Sequence, residues 1–202
     1  VLALDLLETA ARLRTNLGGI EASLRKVKGI ASALRLLGQP VEGDCFDIGP
    51  HLLATAALVK GAIPAGIQIE TRFAQTPAVS GRPELLNEVW SNLLTNAAQA
   101  LNGRGTITIE TQTGPPGDAS GFAGVIVHII DDGPGIPKEA LPRIFDAHFT
   151  TRAAEGGSGL GLPLAQRIVE KMGGAITVQT RPGRTCFTVH LPAAVQRAAG
   201  EA

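Results

Sequence analysis

The chain has 202 residues, 44% of them apolar, which suits one domain of ordinary size with a smaller appendage. Lys and Arg together number 18 and Asp and Glu 18, so the net charge is zero and nucleic acid is disfavoured as a partner. No apolar run reaches the roughly 18 residues of a membrane span, and Cys45 and Cys186 lack metal-ligand spacing and read as ordinary thiols of a reducing compartment.

Val1, where an initiating methionine would stand, suits a segment of a longer protein. Leu6, Ala10, Leu13, Leu17, Ile20, Leu24, Val27, Ala31 and Leu34 recur at alternating spacings of four and three. That heptad seam predicts one long helix packed along another helix, and a homodimer formed through it. Gly18-Gly19 leaves a hairpin as the alternative, and a single amphipathic helix lying on its own domain is the plainer reading. Pro40 and Gly43 then break the helix. The expected organisation is a helical segment over 1–40, a compact domain over 46–192, and a disordered Ala-rich tail over 193–202.

Within the compact domain the patterns predict helices over Pro50–Lys60, Pro83–Leu101 and Leu160–Met172. Gly173-Gly174 closes the last of them. Strands are predicted over Ile67–Phe73, Thr106–Thr113, Val125–Ile130, Ile176–Thr180 and Cys186–Leu191, the final pair joined at Pro182-Gly183. Strand pairs interleaved with about three helices predict an α+β fold, a mixed sheet with helices on one face.

The strand Val125–Ile130 runs into Asp131-Asp132-Gly133-Pro134-Gly135-Ile136-Pro137. A second cluster, Gly156-Gly157-Ser158-Gly159-Leu160-Gly161-Leu162, opens the Leu160–Met172 helix. A carboxylate at a strand end can receive a base. Backbone N–H groups at a helix start receive phosphates. The helix Pro83–Leu101 adds a third element. At about 100° per residue, Asn92, Asn96 and Gln99 fall within about 80° of Glu88, opposite an apolar face built on Leu86, Val89, Trp90, Leu93, Ala97 and Leu101. Such amides alone are ordinary surface decoration. Beside the two glycine clusters they read as ligands for Mg²⁺ bound with ATP, because a neutral amide oxygen adds no charge next to a triphosphate.

Asn92-Leu93-Leu94-Thr95-Asn96-Ala97 resembles the N box of sensor histidine kinases, and Asp131-Asp132-Gly133-Pro134-Gly135 their first glycine box. Arg143-Ile144-Phe145-Asp146-Ala147-His148-Phe149-Thr150-Thr151-Arg152 is similar to their F box, and Gly157-Ser158-Gly159-Leu160-Gly161-Leu162 to their second glycine box. Gly183-Arg184-Thr185-Cys186-Phe187 resembles their final Gly-x-Thr-x-Phe strand. The ordered set covers roughly residues 46–192 and has the flavour of the nitrogen-regulation subfamily. It implies the Bergerat (GHKL) fold, a two-layer α/β sandwich. Asn96 and Asn92 would hold Mg²⁺, and Asp131 would read adenine. Its implied partners are ATP, a second copy of the chain and the receiver domain of a response regulator, in a cytoplasmic setting, with any membrane anchor in other parts of the parent protein.

Chemistry assigns the remaining roles. An ionised carboxylate only accepts, so Asp131 suits the exocyclic amine of adenine and repels the carbonyl of guanine. Gly133 and Gly135 let the backbone pass close to the base, with Ile136 beside it. Gly157, Ser158, Gly159, Leu160, Gly161 and Leu162 form the phosphate nest. Asp146–Ser158, with Thr150 and Thr151, reads as a lid over the triphosphate, in which Arg152 supplies positive charge. Glu88, Asn92, Asn96 and Arg152 are the expected catalytic group, and Thr185 is placed near the adenine through water. Asp132 serves the turn.

The four histidines, His51, His128, His148 and His190, do not stand in a phosphoacceptor context, and residues 1–50 contain none. The acceptor is therefore expected outside this chain. Ala147-His148 replaces the family's Pro-Phe, and Gln99 stands where many kinases place a lysine. Two rivals remain: a dimeric scaffold that kept the fold without ATP chemistry, and an ATP-hydrolysing clamp related to gyrase or Hsp90. The latter needs a Glu where Asn92 stands.

Overall fold

The structure, a computed structural model, describes residues 43–114, 124–152 and 158–194. The helical seam expected over 1–38, its dimer contact and Gly157 lie outside the described residues. By their contacts the described residues form two compact units, one of 43–141 with 165–194 and one of 142–152 with 158–164.

The larger unit begins with strand β1 (Cys45–Phe46) and helix α1 (Ile48–Ala62). The Asp47 carboxylate caps α1 by accepting from Gly49 N at 3.0 Å, and Pro50 sits in the first turn, where its missing N–H is harmless. The helix stops at Ile63, which is extended because Pro64 follows. Then come β2 (Ile67–Phe73), the short β3 (Val79–Ser80) that pairs with β1, and α2 (Pro83–Ala100). Strands β4 (Gly105–Thr113) and β5 (Gly124–Asp131) follow, and after α3 (Gly161–Lys171) the hairpin β6 (Ala175–Arg181) and β7 (Arg184–Pro192).

The main sheet has the order β2-β4-β5-β7-β6, with β2 and β4 parallel and every other pair antiparallel. Register sets the core. Ile109 faces Ile129, Ile129 faces Phe187 and Phe187 faces Val178, so one apolar row crosses four strands on one face. Helices α1 and α2 lie against that face. Helix α2 buries Leu86, Val89, Trp90, Leu93, Leu94, Ala97 and Ala98, and α1 buries Ile48, Leu52, Thr55, Ala56 and Val59. Thr55 Oγ1 donates to Asn87 Oδ1 at 3.1 Å and ties the two helices together.

The mixed α/β architecture with helices on one sheet face is the one expected. Helices and strands fall within about two residues of their expected bounds, the precision that frayed ends permit. The β1–β3 pair was not foreseen. Ala193 bridges Val79 and Ala194 N donates to Ala78 O at 2.8 Å, so the expected tail is anchored over its first residues.

The opposite sheet face is mixed, with Ile126, Ile130 and Cys186 among polar side chains. His128 lies there with its Nδ1 3.0 Å from the Thr188 hydroxyl, its Nε2 3.1 Å from Gln112 Nε2, and Cys186 Sγ 3.8 Å away. Gln112 Nε2 can only donate, so His128 Nε2 accepts and Nδ1 carries the proton. Burial lowers the His128 pKa from its ordinary 6.5; Glu110 opposes this, and His190 and Arg184 reinforce it. The unfolded chain therefore binds more protons than the folded one just below pH 6.5. The stability contributed by His128 is present above that pH and is lost as pH falls through the folded pKa. Urea midpoints should drop on acidification through this window, and His128→Gln should remove that share of the drop. Identical pH profiles for the two proteins would contradict it.

Candidate functional site

Helix α2 carries its amide face where the periodicity puts it. Glu88, Asn92 and Asn96 are half-buried and Gln99 is exposed. Among the described residues, the buried side-chain polar atoms without a hydrogen-bond partner are Trp90 Nε1, Asn92 Nδ2 and His190 Nδ1. Asn92 is the one on this face. The orphaned atom is the amide nitrogen, a donor, and only the carbonyl end of the same carboxamide can meet a cation. Such a group fits a hard cation with an oxygen ligand. Among the described residues no cluster of three His, Cys, Asp or Glu side chains could hold a metal instead.

Asp131 ends β5 and is 2% exposed, on the sheet face that the helices cover. Its Oδ1 accepts from Gly133 N at 3.0 Å. A Cβ on Gly133 would lie 2.6 Å from that oxygen and 3.4 Å from Ala100 Cβ at the end of α2, so the residue must be small. Across the ladder Asp131 faces Ile107 on one side and Thr185 on the other, and Thr185 faces Thr180.

The loop after Asp131 is fastened to the β6–β7 hairpin. Ile136 N donates to Thr180 Oγ1 at 2.9 Å, and Thr180 Oγ1 lies 3.1 Å from Thr185 Oγ1. Gly183 N donates to Gly133 O at 2.9 Å. Gly135 has φ +86°, and a Cβ there would stand 2.9 Å from Arg181 O. Asp132 points elsewhere. It is exposed and receives Thr106 N at 2.9 Å, which fixes the start of β4. An open depression of about 380 Å³ runs along Asn102, Arg104, Asp132 and Pro134, but Asp131, Asn92 and Asn96 do not line it.

The smaller unit has its own internal logic. The Arg143 guanidinium lies 4.5 Å from the Phe149 ring centre, and its Nε 3.5 Å from Asp146 Oδ2. Both charged groups are largely exposed, so that ion pair is worth little. His148, at φ +67°, donates its N–H to Gly159 O at 2.9 Å. Gly159 has φ +62°, and a Cβ on it would collide with the His148 carbonyl carbon at 2.5 Å. The F-box turn and the second glycine box are thus locked backbone to backbone, through a position only glycine can fill. Thr150 Oγ1 accepts from Arg152 N at 3.0 Å, and Ser158 Oγ from Leu160 N at 3.4 Å. Thr151 is exposed, and Gly161 and Leu162 open α3.

Of the expected site residues, Asp131, Gly133, Gly135, Ile136 and Thr185 thus converge at one end of the sheet. Glu88, Asn92 and Asn96 line one helix face in the same unit. Thr150, Thr151, Arg152, Ser158, Gly159, Leu160, Gly161 and Leu162 carry the smaller unit and the start of α3. Thr180 escaped the sequence reading. Counting back across the Pro182-Gly183 turn from Thr185 would have found it, because the hairpin register sets the two opposite each other.

The family model described as Histidine kinase-, DNA gyrase B-, and HSP90-like ATPase matches residues 81–195. The sensory histidine kinase/phosphatase NtrB of Rhodobacter capsulatus is 38% identical over 132 residues, 62% of this chain and 37% of that protein. The sensor histidine kinase ZraS of Escherichia coli is 37% identical over 134 residues, 64% of this chain and 27% of that protein. The chain thus spans well under half the length of these relatives. Among solved structures, the mycobacterial sensor histidine kinase MprB superposes with a TM-score of 0.63 at 26% identity, covering 74% of this chain and 97% of that one. Full-length ShkA in complex with AMPPNP gives 0.66 at 26% identity, covering 87% of this chain and 38% of that one.

Gly135→Ala forces a side chain against the Arg181 carbonyl at a left-handed φ. It should cost about 1–3 kcal/mol in urea unfolding; an unchanged midpoint would show that the loop is not held as described.

Proposed function

The chain belongs to the family of histidine kinase-, DNA gyrase B- and HSP90-like ATPases, and from that membership we propose that it is the ATP-binding catalytic part of a sensor histidine kinase. It transfers the γ-phosphate of ATP to a histidine of the dimerisation domain, for relay to a response regulator. The observation that carries the reading is the buried carboxylate of Asp131, with one oxygen on Gly133 N. An ionised carboxylate at a strand end only accepts, and the adenine amine is a donor that matches it. The similarity to NtrB and ZraS supports the same reading.

Asn96 and Asn92 would hold Mg²⁺, which when bound supplies charge neutralisation on the triphosphate. Glu88, one turn before Asn92, keeps that helix face polar. The N–H groups from Ser158 to Leu162 cradle phosphate oxygens at the start of α3. Arg152 adds positive charge, and Thr150 and Thr151 order the segment around it. Gly133, Gly135 and Ile136 wall the purine, and Thr185 steadies Asp131. The chemistry is positioning and charge neutralisation.

The receiving histidine is expected outside this chain. His128 is engaged with Thr188, Gln112 and Cys186, and His51 packs edge-on against Phe46 at 4.8 Å. The chain would pair with a second copy through residues 1–40, act in the cytoplasm, and reach a membrane only through other parts of the parent protein. Among the described residues no helix is long and apolar enough to cross a membrane.

A fluorescent ATP analogue titrated with and without Mg²⁺ tests the reading. Saturable, Mg²⁺-dependent binding is expected, and its absence would favour a scaffold. Asp131→Asn should weaken binding by about 1.5–3 kcal/mol, the loss of a hydrogen bond to a charged group. An unchanged affinity refutes the role given to Asp131. Asn96→Asp places a negative charge beside the phosphates and should lower the affinity for Mg·ATP. Unaltered Mg²⁺ dependence counts against the metal assignment.

A further inference from the structure

Three hydrogen-bonding groups line up beside the buried acid. Ile136 N–H reaches Thr180 Oγ1 at 2.9 Å, Thr180 Oγ1 lies 3.1 Å from Thr185 Oγ1, and Thr185 stands directly opposite Asp131 in the ladder. The four residues come from the glycine loop, β6, β7 and β5. Thr185 is 3% exposed and Asp131 2%, while Thr180 is half-buried.

The ends of this row permit one continuous direction for its hydroxyls. A backbone N–H can only donate, and an ionised carboxylate can only accept. Thr180, accepting from Ile136, can turn its own hydrogen to Thr185, and in that arrangement the Thr185 hydrogen is left for the carboxylate side. All dipoles then run one way, from loop to acid, the arrangement in which neighbouring bonds polarise one another. We propose that Thr180 is a positioning residue of the purine pocket: it pins the Ile136 loop to β6 and points the Thr185 hydroxyl at Asp131, so that the carboxylate presents an acceptor to an amino-purine. The proposal rests on the nucleotide reading given above and deepens it by adding a purine-selecting residue.

Replacing Thr180 by valine keeps the β-branched shape and removes both hydrogen bonds. Ile136 loses its acceptor, and the Thr185 hydroxyl becomes free to turn its hydrogen away from Asp131. Selection of adenine over a 6-oxo purine should then suffer more than phosphate binding. Serine retains the hydroxyl and should retain the behaviour.

The experiment uses the 202-residue chain, with ATP and inosine triphosphate displacing a fluorescent ATP analogue in Mg²⁺. Thr180→Val should weaken ATP by roughly tenfold while inosine triphosphate changes by less than about twofold, the scale of one or two hydrogen bonds, and Thr180→Ser should match the parent. An ATP affinity unchanged in Thr180→Val, an equal loss for both nucleotides, or a failure of serine to rescue overturns the proposal. Should the valine variant not fold, hydrogen exchange of the Ile136 amide in the unaltered chain decides: protection is expected, and exchange at the rate of an exposed loop amide overturns it. Asp131→Asn in the same titration separates the two levels. A loss there without one in Thr180→Val sinks only the role of Thr180, whereas no loss in either sinks the nucleotide reading itself.

Discussion

Asp131 is a carboxylate enclosed at the end of a strand, between a sheet and the helix that covers it. Burying such a group is costly unless its oxygens are satisfied, and much around it follows from that need. Gly133 turns its N–H back onto Oδ1 and must stay small to do so, because a Cβ there would stand 2.6 Å from that oxygen. Thr185 occupies the facing ladder position, and Thr180 backs Thr185. A loop that otherwise has no regular structure is thereby held at several backbone points.

Both glycine-rich segments obey the same physical rule, each inside its own unit. The glycines stand where another backbone approaches too closely for a side chain: Gly135 against Arg181 and Gly159 against His148. Helix α2 contributes differently. Its core face anchors it to the sheet, which fixes the opposite face as a row of polar groups at helical spacing. On that row Asn92 Nδ2 is buried without a hydrogen-bond partner, a cost that a protein core ordinarily avoids.

Much of this was legible in the sequence because periodicity and register are strong constraints. The helix face of Glu88, Asn92 and Asn96 follows from about 3.6 residues per turn, and Asp131 is the residue at which an apolar strand stops. The strands of β1 and β3 were invisible, since Cys45-Phe46 and Val79-Ser80 are too short to show alternation. Thr180 was hidden for another reason. A threonine in an alternating strand looks like ordinary β-propensity, and only the hairpin register sets it beside Thr185. The sheet order was likewise out of reach, because nothing local says that β7 comes between β5 and β6.

The most direct measurement is a crystal structure of this chain grown with a non-hydrolysable ATP analogue and Mg²⁺. The adenine amine is expected at about 3 Å from the Asp131 carboxylate, with the cation on the Asn92 and Asn96 side of the triphosphate. A purine bound with its amine turned away from Asp131, or Asp131 occupied by some other donor while nucleotide is present, would contradict the account.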